Sequence, residues 1–527
     1  MKKYLLRRIL HGLVSIFLVV AIVMIMIYSW LDREVIFASD PQFSKMSNNQ
    51  QVVYKYRNWQ NYGYVDFLQY SDYLQMLANN GEIDEETRKA AFSFGRKPEN
   101  DSEIVAEYIQ KFEAYCKENG YTVQRLNAII TGARKTLAPG GAQQLFAYRN
   151  RSLLQRLWTY FSGLVQIDNI HAVEDEEVGE RKLTFTWYDP IYGGKKFSPA
   201  VIGNGTKHKY LLYCDSSFPF IHQNMLSLSL GKSYSVNKDK DVFTTMTRSQ
   251  GGYVPSLITY PSGLVENSAD DLHSATYVAG SLASSDVNQE RYTDNYTNVE
   301  TVRKNMSRMG YSFTIGIIAT LCAYLIAIPL GIWVSLRKDK LADKIGTCYI
   351  VFITAVPALC YILIFKAIGA LSGLPTIFDM EKESTNKLMF VLPIVSLALP
   401  QIANLLRWLR RYMIDQMNSD YVKFARSGGL SEGEIFSKHV LKNAIIPIVQ
   451  GIPGSILAAM VGAFMTERVY TVPGMGGLLI NAITAYDNGV IVGVTLFYAT
   501  ISVTSMILGD VMMSLVDPRI NFTAKAR

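Results

Sequence analysis

The sequence predicts a polytopic α-helical membrane protein of six spans, with a mixed α/β domain inserted between the first span and the second. Three observations predict it. Apolar runs long enough to cross a hydrocarbon core of ~30 Å recur along the chain. The 527 residues are 49% hydrophobic and only 18% charged, a balance that puts a membrane class first. The net charge of +7 is unevenly placed: residues 31–310 hold 30 Lys/Arg and 32 Asp/Glu, whereas the remainder holds 22 and 13. The cationic excess sits in short loops beside apolar spans, which is a footprint of membrane orientation and not of nucleic-acid binding.

Taken in order, residues 1–8 are basic through Lys2, Lys3, Arg7 and Arg8, which places the N-terminus in the cytoplasm. Residues 9–30 are too long for a signal-peptide core and lack a convincing cleavage site, so they read as a retained first span. Residues 31–310 contain no run of spanning length and are rich in Tyr, Asn, Ser and Gly, as expected of a folded extracellular domain large enough for its own core. Within it, residues 45–130 read mainly as helices, with one over 101–119 after the Pro98-Glu99-Asn100 break. Residues 152–167 read as an amphipathic helix with Leu154, Leu157, Trp158, Phe161, Leu164 and Val165 on one face. Residues 182–188 and 209–213 read as strands. Cys116 and Cys214 could form one disulfide, although nothing requires it. Cys322, Cys348 and Cys360 read as small residues within spans, and the six histidines show no metal spacing.

Spans resume at 311–336, followed by 347–371 (kinkable at Pro357), 388–409, 444–466 and 490–516, with a short tail over 517–527. Six spans put both termini inside, and every strongly basic short loop then falls on one side. Lys366 reads as a snorkelling side chain near the outer end of its span. Asp510 fits equally a contact with a partner subunit or a place near the cytoplasmic interface.

The loop over 410–443 is polar and basic between two apolar spans. Ser431-Glu432-Gly433-Glu434 has the form of a capping box, and Gly428-Gly429 allows a sharp turn before it. This predicts a helix ending near Ser427 and a second short helix from about Glu432 to Asn443, whose Ile435, Phe436, Val440 and Leu441 give it an apolar side to offer a partner. The pattern D-Y-V-x-x-A-R-x-x-G-L-S followed by H-x-L-x-N-A-x-I-P resembles the cytoplasmic coupling loop of permease subunits in ABC importers, most closely the oligopeptide/dipeptide (OppB/DppB-like) group. The match lies at Asp420, Tyr421, Ala425, Arg426, Gly429, Leu430, Ser431, His439, Asn443 and Pro447, with Glu434 closing the capping box. It departs at Lys423-Phe424, where the broader pattern has Glu-Ala, and at Lys442, where many relatives have Pro. Leu430 to Glu434 loosely echoes an ATPase signature, but the chain has no G-x-x-x-x-G-K-[ST] to cradle phosphates. An ordinary solvated helix pair is the plain alternative.

The same family is resembled twice more. Residues 218–234 look like the aromatic-apolar helix leading into L-G-x-S before the second span, here Leu230-Gly231-Lys232-Ser233. The long insertion is similar to that of AmiC-like members from streptococci and related Gram-positive bacteria. In the loop over 467–489, Glu467, Pro473, Gly474, Met475, Gly476 and Asp487 stand where the family has its re-entrant outer gate segment, and Asp510 and Asp517-Pro518-Arg519 follow. The resemblance implies the type I ABC importer permease fold and a cell-membrane permease for oligopeptides. It also implies a second, C-type permease subunit, two ATPase subunits carrying ATP and Mg, and a lipid-anchored binding protein outside. No cofactor, metal or catalytic set is expected in this chain. The other class of function is a membrane sensor that reads a ligand with its outer domain.

Overall fold

A computed structural model describes residues 2–38, 40–94, 101–132, 136–173, 178–188, 194–195, 197–214, 221–253, 257–259, 265–267 and 301–516. The tail with Asp517, Pro518 and Arg519, the 98–100 break, Phe218 and most of 249–290 lie outside these residues.

Helix α1 (Lys2–Trp30) leads into the inserted domain. Its first half is a three-layer sandwich built from α2 (Asn48–Asn61), β1 (Val65–Gln69), α3 (Tyr70–Asn79), α4 (Glu85–Phe92), α5 (Glu103–Glu118), β2 (Thr122–Leu126) and β3 (Gln144–Asn150). The antiparallel sheet has the order β1-β3-β2, with Phe67 opposite Tyr148 and Gln124 opposite Phe146. Successive β3 residues point to opposite faces. Leu145 and Ala147 therefore join Tyr70, Leu74 and Phe112 from α3 and α5, while Phe146 joins Trp59 and Phe67 on the α2 side. Local caps set the helix starts: Asp84 accepts from the Thr87 N–H at 2.8 Å and Ser102 from the Val105 N–H at 3.4 Å.

The second half begins with α6 (Leu153–Ser162), opened by a Ser152–Gln155 capping box. The 152–167 stretch is not one helix. It ends at Gly163 and continues as β4 (Val165–Ile167). Its buried side is Leu157 with half-buried Phe161 and Leu164, whereas Leu154 and Trp158 are exposed. Strands β5 (Leu183–Thr186), β6 (Ala200–Gly203), β7 (Tyr210–Cys214) and β8 (Ile221–Gln223) form an antiparallel sheet in the order β8-β7-β6-β5. Strand β9 (Leu226–Leu228) returns to pair with β4. Strand β10 (Ser249–Tyr253) pairs with β11 (Thr301–Ser307), which runs straight into the next helix. Cys116 is a free thiol buried in the α3–α5 core, so the pairing with Cys214 is not made.

The C-terminal core contains α7 (Arg308–Leu336), α8 (Leu341–Ala355), α9 (Ala358–Leu371), α10 (Val391–Met417), α11 (Asp420–Ser427), α12 (Glu432–Ile435), α13 (Ile446–Gln450), α14 (Ile452–Tyr470), α15 (Met475–Thr484) and α16 (Asn488–Val516). Four helices are long and apolar enough to cross a membrane, within Tyr4–Trp30, Arg308–Leu336, Lys387–Met417 and Asn488–Val516, and two bent pairs bring the number to as many as six.

The stretch 347–371 bends sharply: α8 and α9 meet at 110° across Val356-Pro357. Proline lacks the N–H that would continue the helix and forces the residue before it into extended backbone, as seen at Val356 with ψ 131°. Helix α10 runs past Leu409 to Met417, so residues 410–417 are helix and not loop. Its Arg410 forks onto the buried Asp343 carboxylate at 2.5 and 2.8 Å, tying α10 to the start of α8. Helix α14 likewise runs past Thr466 to Tyr470, which places Glu467 in a helix.

Phe112 fills the α3–α5 layer and is fully buried. Phe112→Ala is expected to cost about 3–5 kcal/mol. Hydrogen exchange of the full-length chain checks it: protection falls in α3 and α5 and is unchanged in α10.

Candidate functional site: a basic elbow and two buried carboxylates

The elbow over 420–444 is a small folded unit. Helix α11 ends at Gly428, and Gly429 takes φ +83°, a left-handed conformation that glycine adopts without a Cβ penalty. The capping box is formed: the Glu434 N–H reaches Ser431 Oγ at 3.3 Å, and the Ser431 N–H reaches Glu434 Oε2 at 3.3 Å. After α12 the chain widens into a π-turn over Phe436–Leu441 before Lys442–Ala444. Arg426 closes the turn by donating to both oxygens of Glu432, at 2.5 and 3.0 Å. That hydrogen-bonded pairing holds the Glu432 carboxyl below the usual range.

The structure gathers Tyr421, His439 and Asn443: the Tyr421 hydroxyl donates to Gln416 and accepts from Asn443 Nδ2 at 3.1 Å, and the His439 ring lies 6.3 Å from the Tyr421 ring. Asp420 stands apart, bonded only locally to Lys423 at 2.9 Å. Ala425 lies on the buried face of α11.

The apolar side of the second helix is already used. Ile435 and Val440 are buried with Leu406, Leu409 and Met413 of α10 and with Val422 and Ala425 of α11. The apolar groups that face outward are others: Phe424 is 81% exposed, with Leu430 at 38% and Tyr421 at 37%. Phe424 was visible in the sequence only as a departure from a family pattern. Its signal is an aromatic on the polar face of α11, three residues after Tyr421.

At the far end of the bundle two buried carboxylates organise the 467–489 segment. Glu467, 1% exposed on α14, accepts from Ser312 Oγ of α7 at 2.5 Å and from the Gly476 and Gly477 N–H groups at 2.7 and 3.3 Å. The Met475 N–H donates to Ser312 Oγ at 2.9 Å. The orphan donors at the start of α15 are thus satisfied by side chains of two other helices. Only Thr471 to Gly474 and Ala485 to Asp487 are irregular, because Met475–Thr484 is helical. Pro473 offers its carbonyl to Gln250 at 2.9 Å, and Met475 is fully buried. Glycine is needed at 476: a Cβ there would stand 2.5 Å from the Phe464 backbone.

Asp487, with no exposed surface, accepts from Ser233 Oγ at 2.6 Å and from the N–H groups of Tyr234, Ser235 and Val236 at 2.8, 2.9 and 3.0 Å. It also accepts from its own Val490 N–H at 3.2 Å. Next to it, Asn488 Nδ2 donates to the Tyr64 hydroxyl at 2.9 Å. So Ser233, the last residue of the L-G-x-S segment, meets Asp487 directly, and the inserted domain is clasped to the start of α16. At the opposite, elbow-proximal end of α16, Asp510 is held within the chain, by Arg8 at 3.0 Å and the Tyr4 hydroxyl at 2.9 Å. Lys366 does not simply reach for solvent: its Nζ donates to the Val469 carbonyl at 2.7 Å. Among the described residues no His/Cys/Asp/Glu group could hold a metal ion.

Residues 327–522 match the family of binding-protein-dependent transport system inner membrane components. The chain is 32% identical over 529 residues to the oligopeptide transport system permease protein AmiC of Streptococcus pneumoniae, covering 100% of this chain and 99% of that protein. The chain belongs to the oligopeptide/dipeptide permease family of ABC transporters. It is a multi-pass membrane permease. Shorter relatives match this permease over less of its length. The dipeptide transport system permease protein DppB of Bacillus subtilis is 30% identical over 216 residues, 41% of this chain and 68% of its own. The oligopeptide transport system permease protein AppB of the same organism is 30% identical over 226 residues, 41% of this chain and 71% of its own. The full-length relative therefore aligns across the inserted domain as well as the helical core.

Removing the Asp487 carboxylate strands four N–H groups, each at a cost of ~1–3 kcal/mol if it stays buried. Asp487→Ala is expected to speed hydrogen exchange at Tyr234, Ser235 and Val236 by at least ~10-fold, with the α3–α5 core of the permease unchanged. Gly476→Ala is expected to lower the thermal unfolding temperature of the detergent-solubilised permease, because Phe464 and Glu467 have no room to move apart.

Proposed function

We propose that the permease is one of two different membrane subunits that together import oligopeptides, with its elbow in the cytoplasm and its inserted domain outside the cell. Each bent helix pair counts as one span in this reading, giving six spans and both termini inside. The basic residues at the N-terminus, after α7 and around the elbow then share one side. ATP and Mg belong to two ATPase subunits that dock on the elbow. A lipid-anchored binding protein outside delivers the peptide to the end organised by Glu467 and Asp487.

The observation that carries this reading is the build of the elbow. It is a capped turn fixed to α10 by its own apolar side, and it still presents Phe424, Leu430 and Tyr421 outward on a polar, basic surface. An exposed apolar group on a rigid mount is what a partner's pocket requires. ATP-driven movement of that partner is transmitted to α10 and α14, shifting the bundle between inward- and outward-facing states. Peptide as cargo rests on the named relatives.

The test is ATP-dependent uptake of a labelled oligopeptide by membrane vesicles containing Gly429→Asp or Leu430→Asp permease. Uptake is expected to fall roughly 5–150-fold, the span of ordinary coupling free energies, with permease levels unchanged. Normal uptake together with normal ATPase association contradicts the docking role.

A further inference from the structure

A groove of 590 Å³ runs between α1, α14 and α16. We propose that it binds one acyl chain of an anionic phospholipid of the inner leaflet, with the phosphate held at its basic mouth. The proposal rests on the orientation given above, in which the basic end of α1 faces the cytoplasm.

The dimensions select the occupant. On α1 the lining extends from Arg8 to Val19 and on α16 from Val494 to Ile507. At 1.5 Å per residue these are lengths of ~16 and ~20 Å, which is about half of a ~30 Å hydrocarbon core. A single extended acyl chain of one leaflet has that length, and the groove follows it along α1 and α16.

The wall is apolar along most of its length, with Leu457, Val461 and Phe464 of α14 facing Val494, Ala499 and Val503 of α16. Gly12 keeps α1 close to α16 at the inner end: a Cβ there would lie 2.4 Å from Val503 Cγ1. The ionisable side chains Arg8 and His11 line the groove at its mouth, whereas the polar residues further along it, Ser15, Thr495, Tyr498 and Ser502, carry only hydroxyls. The first eleven residues carry Lys2, Lys3, Arg7, Arg8 and His11 and no acid. Asp510 neutralises Arg8 through Nη2, but Nη1 lies 3.9 Å from Met506 Sδ on the groove wall, so the guanidinium faces the groove. A basic pocket between membrane helices on the cytoplasmic side is suited to an anionic headgroup.

The experiment uses the full-length permease with the subunits that co-purify with it, in phosphatidylcholine vesicles. The probe is a trace of phosphatidylglycerol carrying a photoactivatable acyl chain, and cross-links are mapped by mass spectrometry. Cross-links on the groove residues of α14 and α16 are expected, competed several-fold better by unlabelled phosphatidylglycerol than by added phosphatidylcholine. Ala499→Phe, which fills the groove, is expected to lose most of this labelling, while Leu325→Phe on the exposed surface of α7 keeps it. Protease access to the N-terminus in the same vesicles scores the orientation separately from lipid binding. Labelling competed equally by both lipids, labelling that Ala499→Phe leaves intact, or no labelling of the groove overturns the proposal.

Discussion

The account depends on one apolar contact: Ile435 and Val440 of the elbow sealed against Leu406, Leu409 and Met413 of α10. Burying each of those two side chains is worth about 1.5–3 kcal/mol, more than the exposed Arg426–Glu432 fork can supply. The elbow is therefore part of the membrane core and cannot swing independently of it. In the docking proposed above, a force on Phe424 or Leu430 would reach α10 through this contact. The π-turn over 436–441 lets the chain leave α12 and enter α13 while this contact is kept.

At the opposite end the fastenings are hydrogen bonds to buried carboxyls, and the reason is the type of group that must be joined. The start of α15 and the 234–236 segment arrive with backbone N–H groups that are met by side chains and not by carbonyls. Buried carboxylates answer that need: Glu467 for α15 and Asp487 for the inserted domain. Helix α14 links the two systems, since it begins just beyond the elbow and carries Glu467 in its last turn. Arg8 and Asp510 fasten α1 to α16 near the elbow, and Asp487 fastens the inserted domain to α16 at its other end. The inserted domain is thus attached directly to α16, and is not merely tethered by its two linkers.

Much of this was legible in the sequence where a local rule decides the outcome. The Ser431–Glu434 capping box, the turn at Gly428-Gly429 and the long apolar helices follow from residue types at fixed spacing. The misreadings arose where tertiary contacts decide. Residues 152–167 alternate in a way that suits a helix, yet Gly163 stops it and Leu226–Leu228 captures Val165–Ile167 as a strand. Pro357 announced a weakness in its span, but not that the chain would turn by 110°. The apolar side of the second elbow helix was visible, but only the fold shows that α10 takes it and that Phe424 is left outside. The meeting of Ser233 with Asp487, 254 residues apart, has no local signature at all.

The most direct measurement places a cysteine at Phe424, in a chain whose own cysteines are replaced, and cross-links it in the assembled complex. The account predicts a cross-link to an ATP-hydrolysing subunit whose yield changes with nucleotide, while a cysteine at Ile435, sealed against α10, gives none. A Phe424 cysteine that reacts with a membrane-impermeant reagent from outside the cell, or that touches no other subunit, would contradict it.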